Sequence, residues 1–163
     1  MGGRAVLFAV DAEASERLLA ADDDAAVMAV VDEVEERWDR SRLTELDKAW
    51  DALHRCLTDG TLTYEGGEYP LSHTLLGGYL LHEGDDHEVA YVSPDEVRDV
   101  AAALAPLDGP WLRGRFAELE FVDYEGTADE ADIAYTERFL PDLKEFYRRA
   151  AEAGSAVIFT VDL

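Results

Sequence analysis

The sequence predicts a single α+β domain over residues 1–163, with a small mixed β-sheet covered by several α-helices. Three observations predict it. Short apolar runs rich in β-formers stand near both ends, at residues 4–10 and 155–162. Between them, apolar residues recur at helical spacing in several segments. No internal repeat, low-complexity linker or composition break divides the 163 residues, a length at which roughly 70% of the unfolded surface can be buried.

Residues 4–10 read as a buried strand, which Asp11 ends while capping a short helix through Ala20. Asp22, Asp23 and Asp24 cap the next helix, residues 25–37, where carboxylates complement the positive end of the helix dipole. Its Val27, Val30, Val31 and Val34 fall at helical spacing. Ser41 and Thr44 offer caps for a helix over residues 46–58, which stops at the Asp59-Gly60 turn. Residues 61–67 are turn-rich, with Leu62 and Tyr64 alternating as in a marginal strand, and residues 70–76 suit one helical turn. Strands at 79–82 and 88–92 flank an acidic loop, residues 83–86, which predicts a hairpin.

The clearest local signal is Ser93-Pro94-Asp95-Glu96: N-cap, proline at the first helical position, and glutamate closing a capping box. The helix it opens runs to about Leu104. A further helix is expected at 111–119, and a short extended piece at 121–124. Residues 129–153 carry the longest helical pattern, which Pro141 should break or kink near residues 137–140 because it removes a backbone donor. Gly154 suits the C′ position, and the closing strand is expected beside the first.

Charge and cysteine content bound the function. Thirty-seven acidic residues against fourteen basic ones give a net charge of −23. Nucleic-acid backbone and anionic lipid both require a basic face, so neither is an expected partner. An acidic surface instead suits a basic protein partner, through long-range steering. A source-wide bias towards acidic residues gives the same composition. The single Cys56 excludes an internal disulfide and reads as a small buried hydrophobe. No signal-peptide pattern and no membrane-spanning apolar run is present, so a cytoplasmic location is expected.

The most informative run is residues 46–58. As one amphipathic helix it places Leu46, Trp50, Leu53 and Leu57 in a core-facing stripe. Asp47, Asp51, His54 and Thr58 then stack beside the Trp50 edge of that stripe. Three readings are open. Asp51 can orient the His54 imidazole and raise its basicity as a general-base pair, with Thr58 or Ser72 as the nucleophile. Asp47, Asp51 and His54 can offer three ligands to a divalent ion, although the spacing matches no strong metal signature. Or His54 packs against Trp50 and shares a hydrogen bond.

Other groupings carry less. His82 and His87 bracket three acidic residues in what reads as a solvated turn, and His73 stands alone. The glycines at 66–67 and 77–78 fit no phosphate-binding pattern. Arg113, Arg115, Arg148 and Arg149 are the main local basic clusters and can meet an anion, but they lie among glutamates and read first as ion-pairing groups. Tyr135, Phe139, Phe146 and Tyr147 read as core.

The run from Asp47 through Lys48, Trp50, Leu53, His54 and Leu57 to Thr58 also resembles the central helix of the YfbM-like family of small bacterial proteins. The opening residues 3–11, Pro70-Leu71-Ser72 with Gly77, residues 91–96, and residues 146–149 with 156–159 resemble other parts of that family in the same order. The resemblance covers nearly the whole chain. It implies a fold and a bacterial source, and it carries no activity.

No nucleophile motif, phosphate loop or strong metal signature is present. The sequence therefore points to a non-enzymatic protein-binding domain without a cofactor, with an immunity-like inhibitor of a basic partner as one concrete form. The alternative is a small-molecule or metal-binding domain, or a hydrolase-type enzyme, with a cleft lined by Asp47, Trp50, Asp51, His54 and Thr58. Oligomeric state is left open.

Overall fold

The computed structural model describes residues 3–84 and 86–162, so Asp85 of the acidic hairpin loop lies outside the described residues. Its centre is a five-stranded sheet built from β1 (Arg4–Val10), β2 (Leu43–Asp47), β3 (Tyr79–Glu83), β4 (His87–Val92) and β5 (Ala156–Asp162). The strand order is β2-β1-β5-β4-β3. The chain is α+β as expected, but every pairing is antiparallel rather than mixed. β1 and β5, at opposite ends of the sequence, form the central ladder from Arg4↔Asp162 to Val10↔Ala156.

Helices cover both faces, so the central strands alternate between two apolar cores instead of between core and water. Ala5 and Leu7 of β1 and Val157, Phe159 and Val161 of β5 enter the larger core. Phe8, Val10, Ala156 and Ile158 enter the smaller one. The smaller core is closed by α1 (Ala12–Ala20) and α2 (Asp24–Arg37), which contribute Leu18, Val27, Val30 and Val31. The larger is closed by α3 (Trp50–Leu57), α4 (Pro94–Leu104), α5 (Gly109–Glu118), α6 (Glu130–Glu137) and α7 (Leu140–Ala153).

The local signals act as their chemistry requires. Asp11 and Asp23 accept from Ala14 N and Ala26 N at the starts of α1 and α2. Both hydrogen bonds of the Ser93–Glu96 capping box are formed. The long helical pattern breaks between Glu137 and Leu140, as expected, and Pro141 sits in the first turn of α7, where a missing N–H costs nothing. Gly154 ends α7 in the left-handed region at φ 67°.

The main departure lies at residues 43–49. Leu43 and Leu46 are three apart, which places them on one face of a helix but on opposite faces of a strand. The chain takes the strand: Leu43 packs towards the smaller core and Leu46 is buried in the larger. The β1–β2 register shifts between Ala5 and Val6, and Asp47 adopts φ 46° before α3 begins at Trp50. The expected strand near residues 61–67 and the extended piece at 121–124 are turns and irregular chain, held by Tyr64 and Phe121 packed against the larger core.

Candidate functional site

Because α3 starts at Trp50, Asp47 does not stack with Asp51, His54 and Thr58 on one helical face. It closes β2, where Tyr135 Oη donates to Oδ2 at 3.1 Å. Arg4 Nε lies 3.3 Å from Oδ1, an ion contact without hydrogen-bond alignment. Trp50, Asp51, His54 and Thr58 do share α3 and its C-cap, but all four are buried.

Each has a structural partner. Trp50 Nε1 donates to Gly3 O at 2.9 Å, and its ring packs on Phe159. Asp51 does not orient His54; it accepts from Arg55 Nε at 2.6 Å. His54 Nε2 lies 2.9 Å from Thr63 O, which assigns the proton to Nε2 in the neutral ring. Burial holds the His54 imidazole below its ordinary value, and the Thr63 carbonyl and Asp51 only partly oppose that. Thr58 Oγ1 donates to His54 O at 2.6 Å.

The organising group is Arg55, almost fully buried. Besides Asp51, its Nη1 donates to Gly60 O at 3.2 Å and Val122 O at 2.7 Å. Its guanidinium stands 5.3 Å from the centroid of Tyr124, whose hydroxyl donates to Asp132 at 2.7 Å. Arg115 then satisfies the end of α3, donating to Cys56 O at 2.9 Å and Thr58 O at 2.6 Å. This network ties α3 to the chain around residues 58–63 and 119–124. A reading based on spacing alone missed Arg55, although an arginine four residues after an aspartate on one helix is a visible signal.

The remaining candidates are dispersed. Ser72 Oγ lies 3.0 Å from His73 Nδ1, and His73 Nε2 lies 3.4 Å from Glu96, which already serves the capping box. His82 lies beside Asp24, without hydrogen-bond alignment, and His87 beside Asp162, so the two histidines of the hairpin face separate carboxylates. Among the described residues, no three histidine, cysteine, aspartate or glutamate side chains come together as metal ligands. Cys56 is buried and its thiol is pushed up to about 12 by desolvation. No helix is long and apolar enough to cross a membrane, among the described residues.

The surface depressions lie elsewhere. A groove of about 570 Å³ runs between α4, the loop before α5 and α7, with Leu107, Leu140 and Pro141 as its apolar wall. In it, Lys144 Nζ donates to Leu107 O at 2.6 Å. At one end of the sheet, where β1 ends and β5 begins, Ser41, Arg42, Arg149 and Ser155 line a smaller depression of about 170 Å³. Arg42 and Ser155 were not visible as partners in the sequence, since more than a hundred residues separate them.

The third surface feature is charge. Residues 11–37, which form α1, α2 and their caps, hold ten carboxylates against Arg17 and Arg37. Arg17 is paired with Glu33. Burial and the nearby Asp32 and Asp162 raise the Glu35 carboxyl above its ordinary value, with His87 opposing them.

Comparison with known proteins bears on the fold. No curated protein sequence matches the chain. The crystal structure of YfbM from Escherichia coli, a protein of unknown function, is similar with a TM-score of 0.72 at 22% identity, over 97% of this chain and 99% of that one. Residues 1–160 match the family described as a domain of unknown function, DUF1877, so the five-stranded sheet and its helical layers are those of a DUF1877 protein, and this chain belongs to that family.

Proposed function

We propose that this protein is a non-enzymatic binding domain that presents the α1–α2 layer to a basic protein partner. The observation that carries the reading is the ten carboxylates against two arginines in residues 11–37, on the helical layer that closes the smaller core. Like charges gathered on one surface raise the local concentration of a cationic partner and speed its docking. An inhibitor of a basic enzyme, acting in the cytoplasm, is one concrete form. The cleft reading built on Asp47, Trp50, Asp51, His54 and Thr58 is the second, and the burial of His54 weighs against it.

The test is affinity capture from cells of the source organism, followed by mass spectrometry. It compares wild type with an Asp32→Asn/Glu35→Gln/Glu36→Gln variant. The expected result is a basic protein held by wild type at low salt, lost at about 1 M salt, where the Debye length falls to about 3 Å, and lost from the variant. A partner retained through both changes contradicts the reading.

A further inference from the structure

We propose that the depression lined by Ser41, Arg42, Arg149 and Ser155 binds the phosphate group of a small phosphomonoester. This goes beyond the protein-binding reading and uses a different surface. In a chain of net charge −23, this depression has two guanidinium groups and no carboxylate in its lining. The backbone brings them together: Ser41 and Arg42 belong to a 3-10 turn (Arg40–Arg42), Arg149 to the last turns of α7, and Ser155 to the link into β5.

The donors are largely uncommitted. Arg42 Nε is 3.9 Å from Asp39 Oδ2, beyond hydrogen-bond reach. Asp39 instead accepts from Ser41 N at 3.0 Å and Ser41 Oγ at 2.7 Å. Arg149 engages Glu145 through Nε alone, at 3.1 Å, which leaves both terminal nitrogens free to donate. Ser155 is only 9% exposed, and its hydroxyl makes no hydrogen bond among the described residues. At the end of α7 the Ala150 and Ala151 carbonyls are already occupied, because Ser155 N and Gly154 N donate to them.

Size and charge select the ligand. A space of about 170 Å³ admits a headgroup rather than a whole cofactor. Two arginine forks match the oxygens of a phosphate in geometry and sign. The rest of the ligand has room beside it. Ser41, Phe146 and Arg149 are shared with a neighbouring depression of about 420 Å³ between the 3-10 turn, β2 and α7.

Amide NMR titration of the intact protein with inorganic phosphate, chloride replacing it at constant ionic strength, tests this. Saturable shifts are expected around residues 41–43 and 149–156, with acetate binding about tenfold more weakly. Arg42→Gln/Arg149→Gln should weaken phosphate binding by about tenfold or more, given the strength of charge-assisted hydrogen bonds. Both side chains are more than half exposed, so the variant should fold. Arg98→Gln, on the outer face of α4 and also more than half exposed, should bind as wild type. Non-saturable shifts, acetate binding as tightly as phosphate, or unchanged binding by the double variant would each overturn the assignment.

Discussion

The polar residues of α3 and those of the arginine-lined depression make opposite use of the same chemistry. Around α3, a buried arginine, an aspartate, a histidine and a threonine are neighbours in sequence, and the fold satisfies them. At the end of the sheet, two arginines and a serine come from three distant segments, and apart from Arg149 Nε the fold leaves their donors open. A cluster that is dense in sequence is thus a support for the loops around it. The group with unspent hydrogen-bonding capacity is assembled only by tertiary structure.

The largest effect that sharpens this contrast is expected at Arg55. Removing one partner of a buried ion pair leaves the other charge uncompensated, at a cost of about 3–5 kcal/mol. Arg55→Met should therefore lower the urea midpoint severely, whereas Asp51→Leu/Arg55→Met should recover much of the loss. An Arg55→Met midpoint equal to wild type would break the claim that Arg55 is structural. Next in size is Ser93→Ala, which removes the N-cap of α4 and should cost about 1 kcal/mol by the same measurement.

Stability should also depend on pH through His54. Its folded-state value is depressed below the ordinary 6.5, so as pH falls below that value the unfolded chain takes up a proton that the folded protein refuses. The contribution is therefore present above about pH 6.5 and lost as pH falls towards the folded-state value. A His54→Gln variant should lack this part of the slope in urea midpoints measured from pH 7 to 5. Smaller still, Arg148→Ala removes surface ion pairs to Glu145 and Glu152 and should change stability by about 1 kcal/mol or less.

Most of the fold was legible because its signals are local. The caps at Asp11, Asp23 and Ser93, Pro141 at the start of α7 and Gly154 at its end each act within a turn of themselves. β2 was not legible, since leucines three apart serve either a helix or a two-sided strand, and only pairing with β1 decides between them. The candidate site fared differently. The spacing of Asp51, His54 and Thr58 does place them on or beside one helix, but burial depends on what covers that helix, which is supplied by residues 58–63 and 119–124. The Ser41–Arg42–Arg149–Ser155 grouping has no counterpart in the linear pattern.

The most direct test of the contrast is an NMR pH titration of the His54 ring. A histidine held in the core by the Thr63 carbonyl should titrate with a midpoint below 6.5, in its Nε2–H form above that midpoint. A midpoint above 6.5, the signature of an imidazole charged by a neighbouring carboxylate, would contradict the structural account and favour Asp51 and His54 as a general-base pair.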